Sequence, residues 1–204
     1  MTGTAFDPTD PKYQVKEEFK PDKEGTWHYP AEEDGWMKAH NAIRAELDLL
    51  QDCFEAVLSR GGRLEKWEIE CLQQVFDAHN LFLHEHHTSE DKILAPALAE
   101  RFKYPEKLTD DHDAIVDALA VLKSKIGCLE AGVSRKESME DILTEFKAYK
   151  SNLKAHLKEE EDIGLPLLRA YFTPAEYMKI VQKIMQGAPK VCAVLKTHSI
   201  LCQI

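Results

Sequence analysis

The sequence predicts an all-α fold: an antiparallel four-helix bundle with an extended N-terminal lead-in and a short C-terminal helix. Three observations carry that prediction. Apolar residues recur in alternating steps of three and four along four long stretches, which places each set on one helix face. Short breaks separate those stretches, as expected where consecutive helices turn back on one another. No stretch shows the period-two alternation of a half-buried strand.

The elements follow in order. Residues 1–32 carry four prolines and no apolar period, and read as an extended segment. Trp36, His40, Ile43, Leu47, Leu50, Phe54 and Val57 form the first seam, which "SRGGR" at 59–63 ends. The second runs through Ile69, Leu72, Phe76, His79, Leu83, His86, Glu90, Ile93 and Ala97, with Pro96 interrupting the helix. After "FKYPEKLTDD" the third holds His112, Ile115, Leu119, Leu122, Ile126 and Leu129. "EAGVSRKE" leads into the fourth: Ile142, Phe146, Tyr149, Leu153, His156, Glu160, Ile163 and Leu167. A shorter helix starts at "TPAEYMKIVQKIMQ", with Thr173 as N-cap and Pro174 in the first position. Residues 33–187 form the bundle and its short fifth helix, and 188–204 a tail.

Composition bounds the function. With 44% apolar and 30% charged residues, the chain matches an ordinary soluble globular protein. A net charge of -10 argues against nucleic acid and anionic membrane as partners, since both need a basic surface. No apolar run approaches the roughly 18 residues of a membrane helix, and the N-terminus lacks a secretory signal's basic start and apolar run. The five cysteines are scattered without a C-x-x-C, which points to a reducing, cytoplasmic setting. Buried packing is the expected role of most of these thiols; redox pairing of Cys192 with Cys202 is the lesser alternative.

Six polar residues break the apolar seams: His40, His86, Glu90, His112, His156 and Glu160. Such positions favour Leu or Ile, and a bare carboxylate buried there is costly. The six also match in depth. His40 and His86 each lie about 20–24 residues from the Gly61-Gly62 break, roughly 30–35 Å at the helical rise. His112 and His156 match likewise across the next break. His40 and His86 are 46 positions apart, and His112 and His156 are 44. Both second members open an H-x-x-x-E, "HHTSE" and "HLKEE", and a proline follows each glutamate by six residues. The chain is thus a pseudo-repeat of two helical hairpins. H-x-x-x-E sets both side chains one turn apart on one face. Four imidazoles and two carboxylates around one point suit a dinuclear centre with bridging glutamates, matching iron and less uniquely manganese or zinc.

The pattern H…H-x-x-x-E…H…H-x-x-x-E resembles the hemerythrin-like HHE cation-binding domain over about residues 33–187. The resemblance implies an up-and-down four-helix bundle around a non-haem di-iron centre with an oxo or hydroxo bridge. It implies His40, His86, Glu90, His112, His156 and Glu160 as ligands, with Glu90 and Glu160 bridging. Two departures from oxygen-carrying hemerythrin weigh against reversible oxygen carriage. Leu108 and Val116 flank His112 where that protein has a second histidine, and the fourth helix carries H-x-x-x-E in place of H-x-x-x-x-D. The implied role is binding of, or response to, oxygen, nitric oxide or iron. The alternatives are a di-iron oxidase, a scavenger of peroxide or nitric oxide, and a zinc or manganese site for storage or structure.

Other residues have milder expectations. His87 lies about 100° around the helix from His86 and is expected to face solvent, with a role as additional ligand as the alternative. His79 is a satisfied core histidine or lines the ligand pocket. His84, Glu85, Asp91, Glu159, Glu161 and Asp162 are surface polar residues, one of which could orient a ligand imidazole. Trp36 and Tyr149 are core, with a hydrogen bond from Tyr149 to bound oxygen as the alternative. His28 and His198 lie outside the bundle.

Overall fold

The computed structural model describes residues 6–21, 25–132 and 136–187. Among these residues the regular structure is helical, with no strand. Helix α1 covers Gly35–Ser59. Helix α2, Lys66–Ser89, passes through a π-helical turn at Glu90–Leu94 into α3, Ala95–Ala99. Helix α4 is Lys107–Gly127, and α5, Lys136–Glu159, passes through a second π turn at Glu160–Gly164 into α6, Leu165–Tyr171. Helix α7 is Pro174–Gly187. The expectations for Cys192, Cys202, His198 and the tail 188–204 lie outside the described residues. No described helix is long and apolar enough to cross a membrane.

Local chemistry sets the helix ends. The Asp34 side chain accepts the Trp36 N–H at 2.9 Å, capping α1. Gly61 and Gly62 end α1 in the left-handed region, at φ of 82° and 73°, where a side chain would be strained. Glu65 and Glu68 form a capping box at the start of α2. At α7 the Glu176 N–H donates to Thr173 Oγ1 at 3.3 Å, and the Thr173 N–H donates to Glu176 Oε2 at 2.8 Å.

Helix α5 packs against α1 and α4, and α4 against α2. Along α1 and α5, Asp48 meets Lys154 and Glu55 meets Lys147; along α4 and α5, Lys107 meets Glu159 and Lys125 meets Asp141. In each case residue numbers rise on one helix as they fall on the other. These pairs lie at the surface, where water and salt screen them. Apolar burial outweighs them, at about 1.5–3 kcal/mol per large side chain. Leu47, Phe54, Phe76, Leu119, Phe146 and Leu153 lie in one core cluster drawn from all four long helices.

The prolines do not interrupt the second and fourth helices. In each π turn a wider hydrogen bond closes the helix: Ala95 N–H donates to the Glu90 carbonyl, and Leu165 N–H to that of Glu160. The helix then restarts with Pro96 or Pro166 in its first two positions, where no N–H is needed. The extra residue shifts the buried face by one. Leu94 and Leu98 are buried where the seam predicts Ile93 and Ala97, and Leu168 joins Leu167 in the core.

A second core cluster forms beyond the π turns, from Trp36, Leu94, Leu98, Phe102, Leu168 and Tyr171, among others. The lead-in packs onto it. Tyr13 is buried, Lys103 N–H donates to its carbonyl at 2.6 Å, and Lys16 N–H donates to the Arg101 carbonyl at 2.9 Å. Arg101 clasps this end. Its guanidinium lies over Phe172 at 3.9 Å and Phe19 at 4.7 Å, and donates to Glu176 Oε1 at 2.5 Å.

The Arg101 guanidinium holds the Glu176 carboxyl down to about 2, against an ordinary value of 4.5. A depressed folded value contributes stability that is complete above about pH 4.5 and lost as pH falls toward 2. Glu176→Gln should therefore melt below the wild type at pH 7. That gap should close progressively between pH 4.5 and 2 in thermal melts; a gap independent of pH would contradict the pairing.

Candidate metal centre

Helices α1, α2 and α5, the last two continued through their π turns, place their polar seam residues between the two apolar clusters. Along α1 the order is Trp36, His40, Ile43, and along α2 into α3 it is Leu83, His86, Glu90, Leu94. His156 and Glu160 fall between Leu153 and Leu165. The result is a polar layer with apolar packing on both sides. All six residues singled out by depth and repeat come together there, and His87 joins them. Two groups result: His40, His86, Glu90 and Glu160; and His87, His112 and His156. Within each, one nitrogen or oxygen per residue lies within 4.8 Å of every other, so each group could hold a metal ion.

His86 Nε2 lies 3.2 Å from Glu90 Oε1, and His40 Nε2 lies 3.3 Å from Glu160 Oε2. Glu160 Oε2 is also 3.5 Å from His156 Nε2, and Glu90 Oε2 is 3.8 Å from His112 Nε2. Both carboxylates thus reach both groups. His112 Nε2 and His156 Nε2 are 3.1 Å apart. Two nitrogens bound at right angles to one ion, each at about 2.1 Å, would be about 3.0 Å apart.

Carboxylates behind the layer fix the imidazoles. His40 Nδ1–H donates to Glu161 Oε1, and His112 Nδ1–H to Asp91 Oδ1, both at 2.9 Å. Each bond leaves the Nε2 lone pair aimed into the layer. The Trp36 indole N–H donates to Glu90 Oε1 at 2.7 Å. Glu161 is therefore no simple surface residue: it is largely buried and also pairs with Arg44 at 2.7 Å.

Seven buried atoms in the layer have no hydrogen-bond partner among the described residues. They are His40 Nε2, His86 Nε2, both His87 nitrogens, His156 Nδ1, Glu90 Oε2 and Glu160 Oε2. Leaving such an atom unpaired costs about 1–3 kcal/mol. The electrostatics point the same way. Burial and the facing charge of Glu90 push the Glu160 pKa well up, while burial and neighbouring His112 lower His156 to about 4. Burial alone would lower the His40 pKa, but its interactions with Glu161 and Glu90 together outweigh that and raise the value. Without added positive charge the pocket resists holding both glutamates ionised. A cation accepts lone pairs from both residue types and neutralises both carboxylates, so the donor set fits a bound metal.

His87 and Tyr104 depart from the sequence reading or go beyond it, and His79 follows the first of its two alternatives. His87 does not face solvent; only 4% of it is exposed. His79 is a satisfied core histidine and does not line the pocket: Nδ1 contacts Glu46 Oε2 at 2.8 Å and Nε2 contacts Tyr149 Oη at 2.7 Å. That contact occupies the Tyr149 hydroxyl, against a hydrogen bond to a bound ligand. Tyr104, from an irregular loop with no periodic signal, sits by the layer. Burial and the nearby Glu160 and Glu90 push its pKa well up. A cleft of about 270 Å3 between α4 and α5, lined by Lys107, Asp111 and Glu159 as well as Ala114, Ala118 and Ala155, reaches His156.

Residues 31–168, more than half of the chain, match the family described as hemerythrin HHE cation binding domain. No curated protein and no solved structure matches the chain.

Gly164 closes the second π turn against the layer's tryptophan. A Cβ there would lie 2.8 Å from Trp36 Cη2 and 3.2 Å from Tyr104 Oη. Trp36 is itself buried, so the ring cannot swing away. Gly164→Ala should lower unfolding stability by about 1–3 kcal/mol in denaturant titrations. Gly127→Ala, with open space around it, should be neutral or slightly stabilising. Equal stability of the two variants would contradict the close packing.

Proposed function

The chain belongs to the hemerythrin HHE cation-binding family, and from that membership we propose a cytoplasmic non-haem di-iron protein that binds or responds to oxygen, nitric oxide or iron. One observation carries the reading: among the described residues, all but one of the side chains with unpartnered buried nitrogens or oxygens belong to one layer, whose residues form two groups that could each hold a metal ion. His40, His86, Glu90, His112, His156 and Glu160 hold two iron ions, with Glu90 and Glu160 bridging. Imidazole with carboxylate, and no thiolate in either group, favours iron; manganese and zinc are the weaker candidates. The opposed residue numbering along paired helices supports an up-and-down four-helix bundle as the scaffold.

Iron, when bound, supplies open coordination positions and exchange between ferrous and ferric states. The protein supplies the rest. Asp91 and Glu161 hold two imidazoles in the tautomer that presents Nε2, and Trp36 holds one oxygen of Glu90. The apolar clusters on both sides keep bulk water from the layer. The cleft between α4 and α5 that reaches His156 offers a path for a small ligand. The residues around the centre are aromatic, apolar or already engaged in orienting ligands, which favours binding or sensing over an oxidase acting on an organic substrate.

Metal analysis tests the reading. The purified protein should hold two irons per chain and show near-ultraviolet charge-transfer bands from the oxo or hydroxo bridge. Glu90→Ala and Glu160→Ala should each lose most of that iron. Glu70→Ala, an exposed position on α2, should lose none. Zinc at two per chain with no iron would sink the proposal.

A further inference from the structure

We propose that His87 is a seventh ligand, making the two metal positions unlike: His87, His112 and His156 give one position three imidazoles, and His40 and His86 give the other two. This rests on the two-metal reading above and extends it.

The geometry is specific. The His87 ring stacks on His112 at 3.9 Å between centroids and 8° between planes, and meets His156 edge-on at 5.7 Å. Both His87 nitrogens are buried with no hydrogen-bond partner among the described residues. A histidine placed for packing alone would keep at least one nitrogen bonded, as His79 keeps both. One His87 nitrogen lies within 4.8 Å of ligand nitrogens of both His112 and His156; a shared ion, which lies in the plane of each imidazole it binds, would need the stacked rings to tilt apart.

The fold explains how one helix serves both positions. Consecutive helical residues point about 100° apart. His86 turns toward α1, where its ring meets His40 at 5.2 Å, and His87 turns toward α4 and His112. A helix with neighbours on two sides of a bundle can thus give one imidazole to each. The nitrogen that α4 lacks, with Leu108 and Val116 flanking His112, comes from α2. Under this assignment the shell holds five imidazoles and two carboxylates, one imidazole more than the set expected from the sequence.

His87→Phe keeps the stacked ring and removes both nitrogens. The wild type should take up two cobalt(II) ions per chain when titrated anaerobically. The variant should bind one tightly and the second at least tenfold more weakly, with a changed visible cobalt spectrum. In His87→Ala, free imidazole should restore the second ion. The wild type gives a reading that does not depend on any variant folding. Each bound imidazole keeps one N–H, so proton spectra of the cobalt-loaded protein should show five shifted exchangeable imidazole resonances. Four resonances, or a folded His87→Phe that binds both ions with wild-type affinity and spectrum, would overturn the assignment. A wild type that binds fewer than two ions would overturn the two-metal reading, and this assignment with it.

Discussion

The described fold is arranged around a set of polar atoms buried where water cannot satisfy them. Among the described residues, seven unpartnered nitrogen and oxygen atoms belong to the side chains of one layer, at about 1–3 kcal/mol each. Their sum is comparable with the whole stability of a typical domain, about 5–15 kcal/mol. Hydrophobic clusters on both sides fix the layer's depth, so the helices cannot slide to expose it without exposing leucines and aromatics as well. Partial protonation of Glu160 relieves part of the cost, but protonation cannot satisfy every imidazole. A shared cation satisfies both residue types at once.

The two π turns make the layer compatible with a continuous helix. Glu90 and Glu160 each open one, so the carboxylate sits where the backbone ladder widens. The turn adds a residue, rotates the following face, and places Leu94 and Leu168 against Trp36 in the second cluster. It also carries the chain past a proline that would otherwise break the ladder. Trp36 joins the two functions, packing in the cluster through its ring and bonding Glu90 through its N–H. Gly164 leaves room for that ring. The repeat of glutamate and proline six residues apart thus records a repeated backbone device.

Most of the site was legible in the sequence because seam position and depth are properties of a helix alone. His40, His86, Glu90, His112, His156 and Glu160 occupy apolar-face positions at matching heights, and the layer assembles from them. What escaped depends on neighbours. His87 is off the seam by one residue, and only the placement of α4 beside α2 makes that direction an interior one. Asp91 and Glu161 each follow a seam glutamate by one residue and look exposed by period, yet they reach behind His112 and His40. The one-residue shift of the buried face past Glu90 was hidden because π turns have no propensity signal. Tyr104 lies in an irregular loop, where periodicity is silent. The doublet "HH" at 86–87 and the run "EEE" at 159–161 were the available hints: His86 and His87 enter the layer toward different helices, and Glu161 reaches behind His40 while Glu160 faces inward.

The central claim is that a bound cation makes this buried polar layer tolerable, and segment-resolved amide exchange on iron-loaded and chelator-stripped protein tests it most directly. Metal binding to a buried site contributes to folding free energy. The stripped protein should stay helical, melt at a lower temperature, and exchange faster chiefly at His86–Glu90 and His156–Glu160. Protection around Phe54 and Phe146, far from the layer along the same helices, should change little. If stripped and loaded protein melted together and exchanged alike at those two segments, the layer would not depend on a metal, and the account built on it would be wrong.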